Sequence, residues 1–187
     1  MNWQDALESL KAGNENFVQD KLDGKLQGSS RRDSLTAGQS PYAIVLSCAD
    51  SRVVPELAFD KGLGEIFVIR VAGNVANDSS VASIEYAVAH LGTKLIVVLG
   101  HESCGAVTAA AAGVKESPCL DHLLTQIEPS VKNCASSEIN DIVKQNASDN
   151  AATMLNKSEI IKNAVEKDGV KVVSAYYNLG SGKVDFL

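Results

Sequence analysis

Five short apolar runs punctuate the chain, and stretches with apolar residues at helical spacing fill the intervals between them. Ala43-Ile44-Val45-Leu46-Ser47, Glu65-Ile66-Phe67-Val68-Ile69-Arg70 and Lys94-Leu95-Ile96-Val97-Val98-Leu99 are continuous rather than alternating. That is the pattern of strands buried on both faces of a parallel sheet. Val170–Tyr177 reads as a fourth strand. The turn residues Asn178-Leu179-Gly180-Ser181-Gly182 lead to a short last strand, Lys183–Leu187, expected to pair antiparallel. Trp3, Leu7, Leu10, Asn14 and Phe17 predict an amphipathic helix from Trp3 to about Asp20, followed by a polar stretch to Ser40 with room for one more short helix. A second helix is expected from Ser79 to Leu91, capped by Ser80, striped by Ile84, Ala87, Val88 and Leu91, and stopped by Gly92. Cys104 to Ala112 predicts a third, and Pro118 to about Lys167 reads as helices joined by loops. Strands alternating with helices imply an α/β fold with a mainly parallel sheet, ordered 2-1-3-4 with a short antiparallel edge strand. Residues 1–40 form an N-terminal helical arm and loop, and residues 41–187 the α/β core, in a single domain.

Composition narrows the function classes. The 187 residues are 45% hydrophobic and 21% charged, with a formal net charge of -6 and no long basic run. Nucleic acid and an anionic membrane surface are therefore not the expected partners. The first residues carry no basic and apolar leader pattern, and the apolar runs are too short to span a bilayer, so a cytoplasmic location is expected. Four cysteines are too few for a disulfide scaffold in a chain of this size, and point instead to metal, catalysis or core filling. Tyr176 and Tyr177 alternate along a strand, so one is expected in the core and the other toward an interface.

Two segments carry the candidate chemistry. Ser47-Cys48-Ala49-Asp50-Ser51-Arg52 follows the first strand, and Gly100-His101-Glu102-Ser103-Cys104-Gly105 follows the third. Reactive groups in an open α/β sheet gather at the carboxyl ends of strands where strand order reverses. With strands one and three adjacent, Cys48 and His101 share that place, and Cys104 turns back toward it from the next helix. Two thiolates and one imidazole suit Zn²⁺, and three protein ligands leave the open fourth position of a catalytic site. Read from the residues alone, buried core cysteines beside a helix-capping histidine, or a Cys–His nucleophile pair, remain alternatives. On the turn after Cys48, Asp50 can reach the open position, with Arg52 as its bidentate partner, or swing in as a fourth ligand.

Cys-Ala-Asp-Ser-Arg followed about 50 residues later by His-Glu-Ser-Cys-Gly resembles the paired signatures of the β-class carbonic anhydrases. The resemblance runs from Gln39 to the chain's end. It implies reversible hydration of carbon dioxide to bicarbonate by hydroxide on one zinc ion per subunit. Cys48, His101 and Cys104 would be the ligands, and Asp50 and Arg52 the dyad beside the metal. It also implies a substrate pocket of Gln39, Phe67, Ala72, Tyr86 and the Gly105 amide, completed across a homodimer or dimer of dimers. The Trp3–Asp20 helix would then lie on the neighbouring subunit. Val45 stands near the position of a Trp in bicarbonate-regulated members, so that regulation is not expected, and Val71 stands where many members have Asn. His90, one turn from Tyr86, is a candidate proton shuttle. A hydrolase of carbonyl sulfide or carbon disulfide on the same zinc site, and a non-catalytic zinc-binding protein, are the competing functions.

Overall fold

In the computed structural model, which describes residues 1–187, the apolar runs become β1 (Ala43–Ser47), β2 (Ile66–Arg70), β3 (Leu95–His101), β4 (Lys171–Tyr177) and β5 (Val184–Phe186). They form one sheet ordered β2-β1-β3-β4-β5, parallel except for the β4–β5 pair. Every residue of β1 and β3 is buried, as their uninterrupted apolar sequences require. The α-helices, in chain order, are α1 (Trp3–Val18), α2 (Ser29–Ser34), α3 (Pro55–Ala58), α4 (Asp78–Leu91), α5 (Gly105–Ala111), α6 (Pro118–Thr125), α7 (Glu128–Asn133), α8 (Ile139–Lys157) and α9 (Glu159–Lys167).

The period-2 alternation of the strands sorts the core into layers. Ile44, Leu46, Ile96 and Val98 face Ile84 and Val88 of α4, Met154 of α8 and Ile161 of α9. Val45, Leu95, Val97 and Leu99 face the opposite way, onto Ala6 and Leu10 of α1 and Ala58 and Phe59 at α3. A third cluster at the carboxyl ends of the strands joins Cys48, Cys104, Val107, Ile127, Ile142, Val143 and Tyr176.

Several local expectations are corrected. Asn77, not Ser80, caps α4; its side chain accepts from the Ser80 N–H at 2.9 Å, and Ser80 itself is buried. Helix α1 stops at Val18, and Asp20 turns into the left-handed region at φ 55°. His101 is the last residue of β3, paired with Tyr177, rather than the first beyond it. Tyr176 and Tyr177 are both buried, in the cores on opposite faces, because helices cover both sides of β4 at its carboxyl end.

Helix α1 packs on the sheet of its own subunit, with Ala6 and Leu10 fully buried there. Its closest approach is at Gly13, where a Cβ would lie 1.7 Å from the Phe59 carbonyl oxygen. Next to it, buried Asn14 donates to the Ala58 and Gly182 carbonyls at 2.9 and 2.8 Å and accepts from the Val184 N–H at 2.8 Å. One amide thus latches the arm to α3 and to the β4–β5 turn. Replacing Asn14 by Ala leaves three buried backbone groups without partners and lowers stability by about 1–3 kcal/mol in urea unfolding. A loss below ~0.5 kcal/mol would show that the latch carries little of the arm's attachment.

Candidate metal centre

Cys48 leaves β1 at its carboxyl end, His101 ends the neighbouring β3, and Cys104 is the N-cap residue of α5. Parallel pairing of β1 with β3 is what puts the first two side by side. A tight turn returns Cys104 to them, with Ser103 in the left-handed region at φ 53°. The two sulfurs and the imidazole nitrogen of these buried residues lie within 4.8 Å of one another. The Cys48 and Cys104 sulfurs are 4.0 Å apart.

The donor set fits a zinc ion. Tetrahedral Zn–S bonds of about 2.3 Å place two sulfurs roughly 3.8 Å apart, close to the observed separation. His101 Nδ1 lies 2.9 Å from the Glu102 carbonyl oxygen. That bond assigns the ring proton to Nδ1 and leaves the Nε2 lone pair free. Nε2 is buried without a hydrogen-bond partner in the protein, a costly arrangement that a bound cation would relieve.

Electrostatics within the cluster favour thiolate at Cys48. The Cys104 thiol donating to it, His101, and the backbone N–H groups of Asp50 and Gly73, 3.4 and 3.3 Å from its sulfur, outweigh burial and pull its pKa down. The Cys48 sulfur and burial in turn push Cys104 up, although the Val107 and Ala106 amides at the start of α5 oppose the rise. Burial lowers the His101 pKa, but the Cys48 thiolate more than offsets it and the net direction is upward.

Asp50 stands at the mouth of this cluster, its Oδ2 3.8 Å from His101 Nε2. Arg52 takes both of its oxygens: Nε donates to Oδ1 at 2.9 Å, a terminal nitrogen donates to Oδ2 at 2.7 Å, and the Arg52 backbone N–H adds a third bond to Oδ1 at 2.9 Å. These bonds, foremost the side-chain ones, hold the carboxyl well below the usual carboxylate range despite its desolvation. Arg70, at the end of β2, fixes the same turn from beneath. Its Nε donates to the Cys48 carbonyl at 3.0 Å and a terminal nitrogen to the Asp50 carbonyl at 2.6 Å. Sequence reasoning passed over Arg70, although a guanidinium closing an apolar strand was a visible signal.

The remaining candidates are more dispersed. Ala72 precedes Gly73 in the 3₁₀ turn Ala72–Asn74, beside Cys48. Gly105 opens α5, where helix amides have no intrahelical partner. Phe67 is half-buried on β2 against the α4 side of the sheet. Tyr86 is 49% exposed on the outer face of α4, its ring 5.2 Å from that of His90, and Gln39 is exposed ahead of β1. Within one subunit, Gln39, Phe67 and Tyr86 make no hydrogen bond to the cysteine–histidine cluster.

The family model described as carbonic anhydrase matches residues 43–184, which spans both signature segments and strands β1 to β4. The chain belongs to the β-carbonic anhydrase family. Carbonic anhydrase 2 of Mycobacterium tuberculosis is 36% identical over 185 residues, covering 95% of this chain and 89% of that protein. The carbonic anhydrase of Mycolicibacterium smegmatis is 37% identical, with coverages of 96% and 91%. Among solved structures, a tetrameric β-carbonic anhydrase of Sordaria macrospora superposes with a TM-score of 0.75 at 25% identity, covering 98% of this chain and 97% of that one. The Coccomyxa β-carbonic anhydrase in complex with acetazolamide gives 0.76 at 26% identity, with coverages of 97% and 86%.

The depressed Asp50 pKa has a signed consequence for the enzyme. Stability from the Asp50–Arg52 pair is fully present above the ordinary carboxylate pKa and is lost only as pH falls through the lower folded value. Arg52→Ala removes the side-chain bonds, so Asp50 then titrates nearer the ordinary value of about 4. Carboxyl-resolved NMR titration of the two proteins checks this, and identical titration curves would contradict it.

Proposed function

We propose that Cys48, His101 and Cys104 hold one zinc ion, and that Asp50 and Arg52 serve the hydration of carbon dioxide to bicarbonate beside it. The observation that carries this reading is the orphaned, tautomer-fixed His101 Nε2 facing two thiols, with a carboxylate 3.8 Å away that is already fully engaged by an arginine. Zinc in such a site lowers the pKa of water and so supplies the nucleophile at moderate pH. Asp50 accepts a hydrogen bond from the attacking water and aims its lone pair at the carbon. Because its carboxyl stays ionised, it orients the water rather than keeping the proton. Arg52 holds both Asp50 oxygens, so a zinc ion bound by the three residues would keep its fourth position for water. Arg70 keeps the Cys48–Asp50 turn in place beneath both. Two thiolates cancel more of the cation's charge than neutral imidazoles do, so activity rises into the alkaline range.

The substrate pocket, in this reading, is shared across a homodimer, with Gln39, Phe67, Ala72, Tyr86 and the Gly105 amide around the substrate. The support is β2. It is an edge strand whose Ile66, Phe67, Val68 and Ile69 are all only part-buried, and Leu57 and Leu63 near it are exposed. A long apolar edge left open is a pairing surface. No helix is long and apolar enough to cross a membrane. Cys119 and Cys134 form no disulfide, which fits the reducing cytoplasm proposed here.

Stopped-flow hydration of carbon dioxide tests the function. Native protein should hydrate it far faster than buffer, with rates rising through alkaline pH, while Cys48→Ala should retain no zinc and fall to the buffer rate. A native rate equal to buffer, or turnover of carbonyl sulfide alone, would remove the reading. Sedimentation equilibrium tests the shared pocket. The native mass should be two or four times 19.7 kDa, and Val68→Lys should yield monomers that keep zinc but lose at least about tenfold in activity. A fully active Val68→Lys monomer would contradict the cross-subunit pocket.

A further inference from the structure

Helix α8 carries two asparagines on the face it turns to the sheet, and neither is explained by the catalytic reading. Asn146 is wholly buried and Asn150 is 5% exposed. Side chains that lose water in this way must have partners or destabilise the fold. The partners of both lie in the segment that crosses over the metal cluster. Asn146 Nδ2 donates to the Gly73 carbonyl at 2.8 Å. Asn150 Oδ1 accepts from the Ala76 N–H at 2.6 Å. The two are tied to each other one turn apart, Asn150 Nδ2 donating to the Asn146 carbonyl at 2.8 Å and to its Oδ1 at 3.0 Å. The second of these bonds leaves the Asn146 amide nitrogen facing Gly73.

Gly73 is where this bracket meets the metal centre. Its carbonyl is the one Asn146 holds, and its N–H is the one that donates to the Cys48 sulfur at 3.3 Å. It is in the left-handed region, at φ +70°, and a Cβ there would lie 2.6 Å from Ile127 Cδ1. The glycine is therefore held from both sides, by Ile127 beside its Cα and by Asn146 on its carbonyl, with Asn150 bracing Asn146. Asn74, next in the chain, has φ 46° and a buried side-chain amide with no partner. The side-chain hydrogen bonds that hold the segment come from α8.

We infer that Asn146 and Asn150 are positioning residues that set the Gly73 N–H on the Cys48 sulfur, and so tune how strongly that thiolate binds its metal. This rests on the zinc reading of Cys48 and adds to it. An N–H bonded to a metal thiolate draws charge from the sulfur, so the metal stays a stronger Lewis acid, and it fixes the sulfur's direction, so the metal is kept longer. Outer partners of this kind change metal affinity by about tenfold to a hundredfold when removed.

The test compares native protein, Asn146→Ala and Asn150→Ala, with Asn14→Ala as a control that loses a buried asparagine far from the cysteines. Two readouts are taken on each: the rate at which a chelator strips zinc from the loaded protein, and the energy of the sulfur-to-cobalt charge-transfer band after cobalt substitution. Asn146→Ala should release zinc about tenfold to a hundredfold faster and move the band to lower energy, since the sulfur becomes a richer donor. Asn150→Ala should do the same to a smaller degree. Asn14→Ala should lower Tm and change neither readout. Bracket variants that lose Tm but keep the native release rate and band would reduce the asparagines to fold stability and overturn the proposal. If Asn146→Ala does not fold, Asn150→Ala decides it by the same comparison. A native protein with no cobalt–thiolate band would instead overturn the zinc reading itself.

Discussion

Parallel hydrogen bonding between β1 and β3 is the constraint from which the cysteine–histidine cluster follows. The register pairs Ser47 with Leu99, so Cys48, just past β1, and His101, the last residue of β3, come within a residue of the same level and are neighbours. An antiparallel pairing would have put them at opposite ends of the sheet. Since β1 and β3 are buried on both faces, a slip in register would exchange the side chains packed in the two cores and misfit both at once. The hydrophobic layers thus hold Cys48, His101 and Cys104 in place, although only at the rim do any of the three join them.

Around that fixed pair the chain arranges backbone groups rather than charged side chains. The Cys48 sulfur faces two backbone N–H groups, Cys104 faces the first amides of α5, and His101 is oriented by a carbonyl. Only Asp50 and Arg52 bring formal charges to the mouth, and they largely neutralise one another. Backbone dipoles suit a buried site because they are set by the fold and need no counter-ion. Side chains act on such a site mainly through the backbone segments they hold, as Asn146 does at Gly73 and Arg70 at the Cys48 carbonyl.

How much of this was legible in the sequence depended on whether the signal was local. Continuous apolar runs marked every strand to within a residue or two, and the two motifs marked the cysteines, the histidine and the Asp–Arg pair. The cap of α4 was misread because Asn77 and Ser80 are both good capping residues, and burial of Ser80 decided between them. The arm's attachment to its own sheet was not legible because it hangs on Asn14, a polar residue on an apolar stripe whose partners lie at Ala58, Gly182 and Val184. Asn146 and Asn150 stayed hidden for the same reason. In a helix with little apolar contrast between its faces, buried asparagines look like surface ones until the loop they hold is known. Arg70 alone had a local signal, a charge at the end of an apolar run, that went unread.

The Asn14 latch joins residues 168 and 170 positions apart, and this has a consequence for synthesis. The turn that accepts the arm, with Gly182 and Val184, is made that many residues after Asn14. Until then Ala6 and Leu10 can rest on β1 and β3 once those strands have formed, but nothing holds the helix in register. The growing polypeptide therefore carries α1 loosely docked over that interval, an exposure of apolar surface during translation. Formation of the β4–β5 turn secures the arm and ends that exposure.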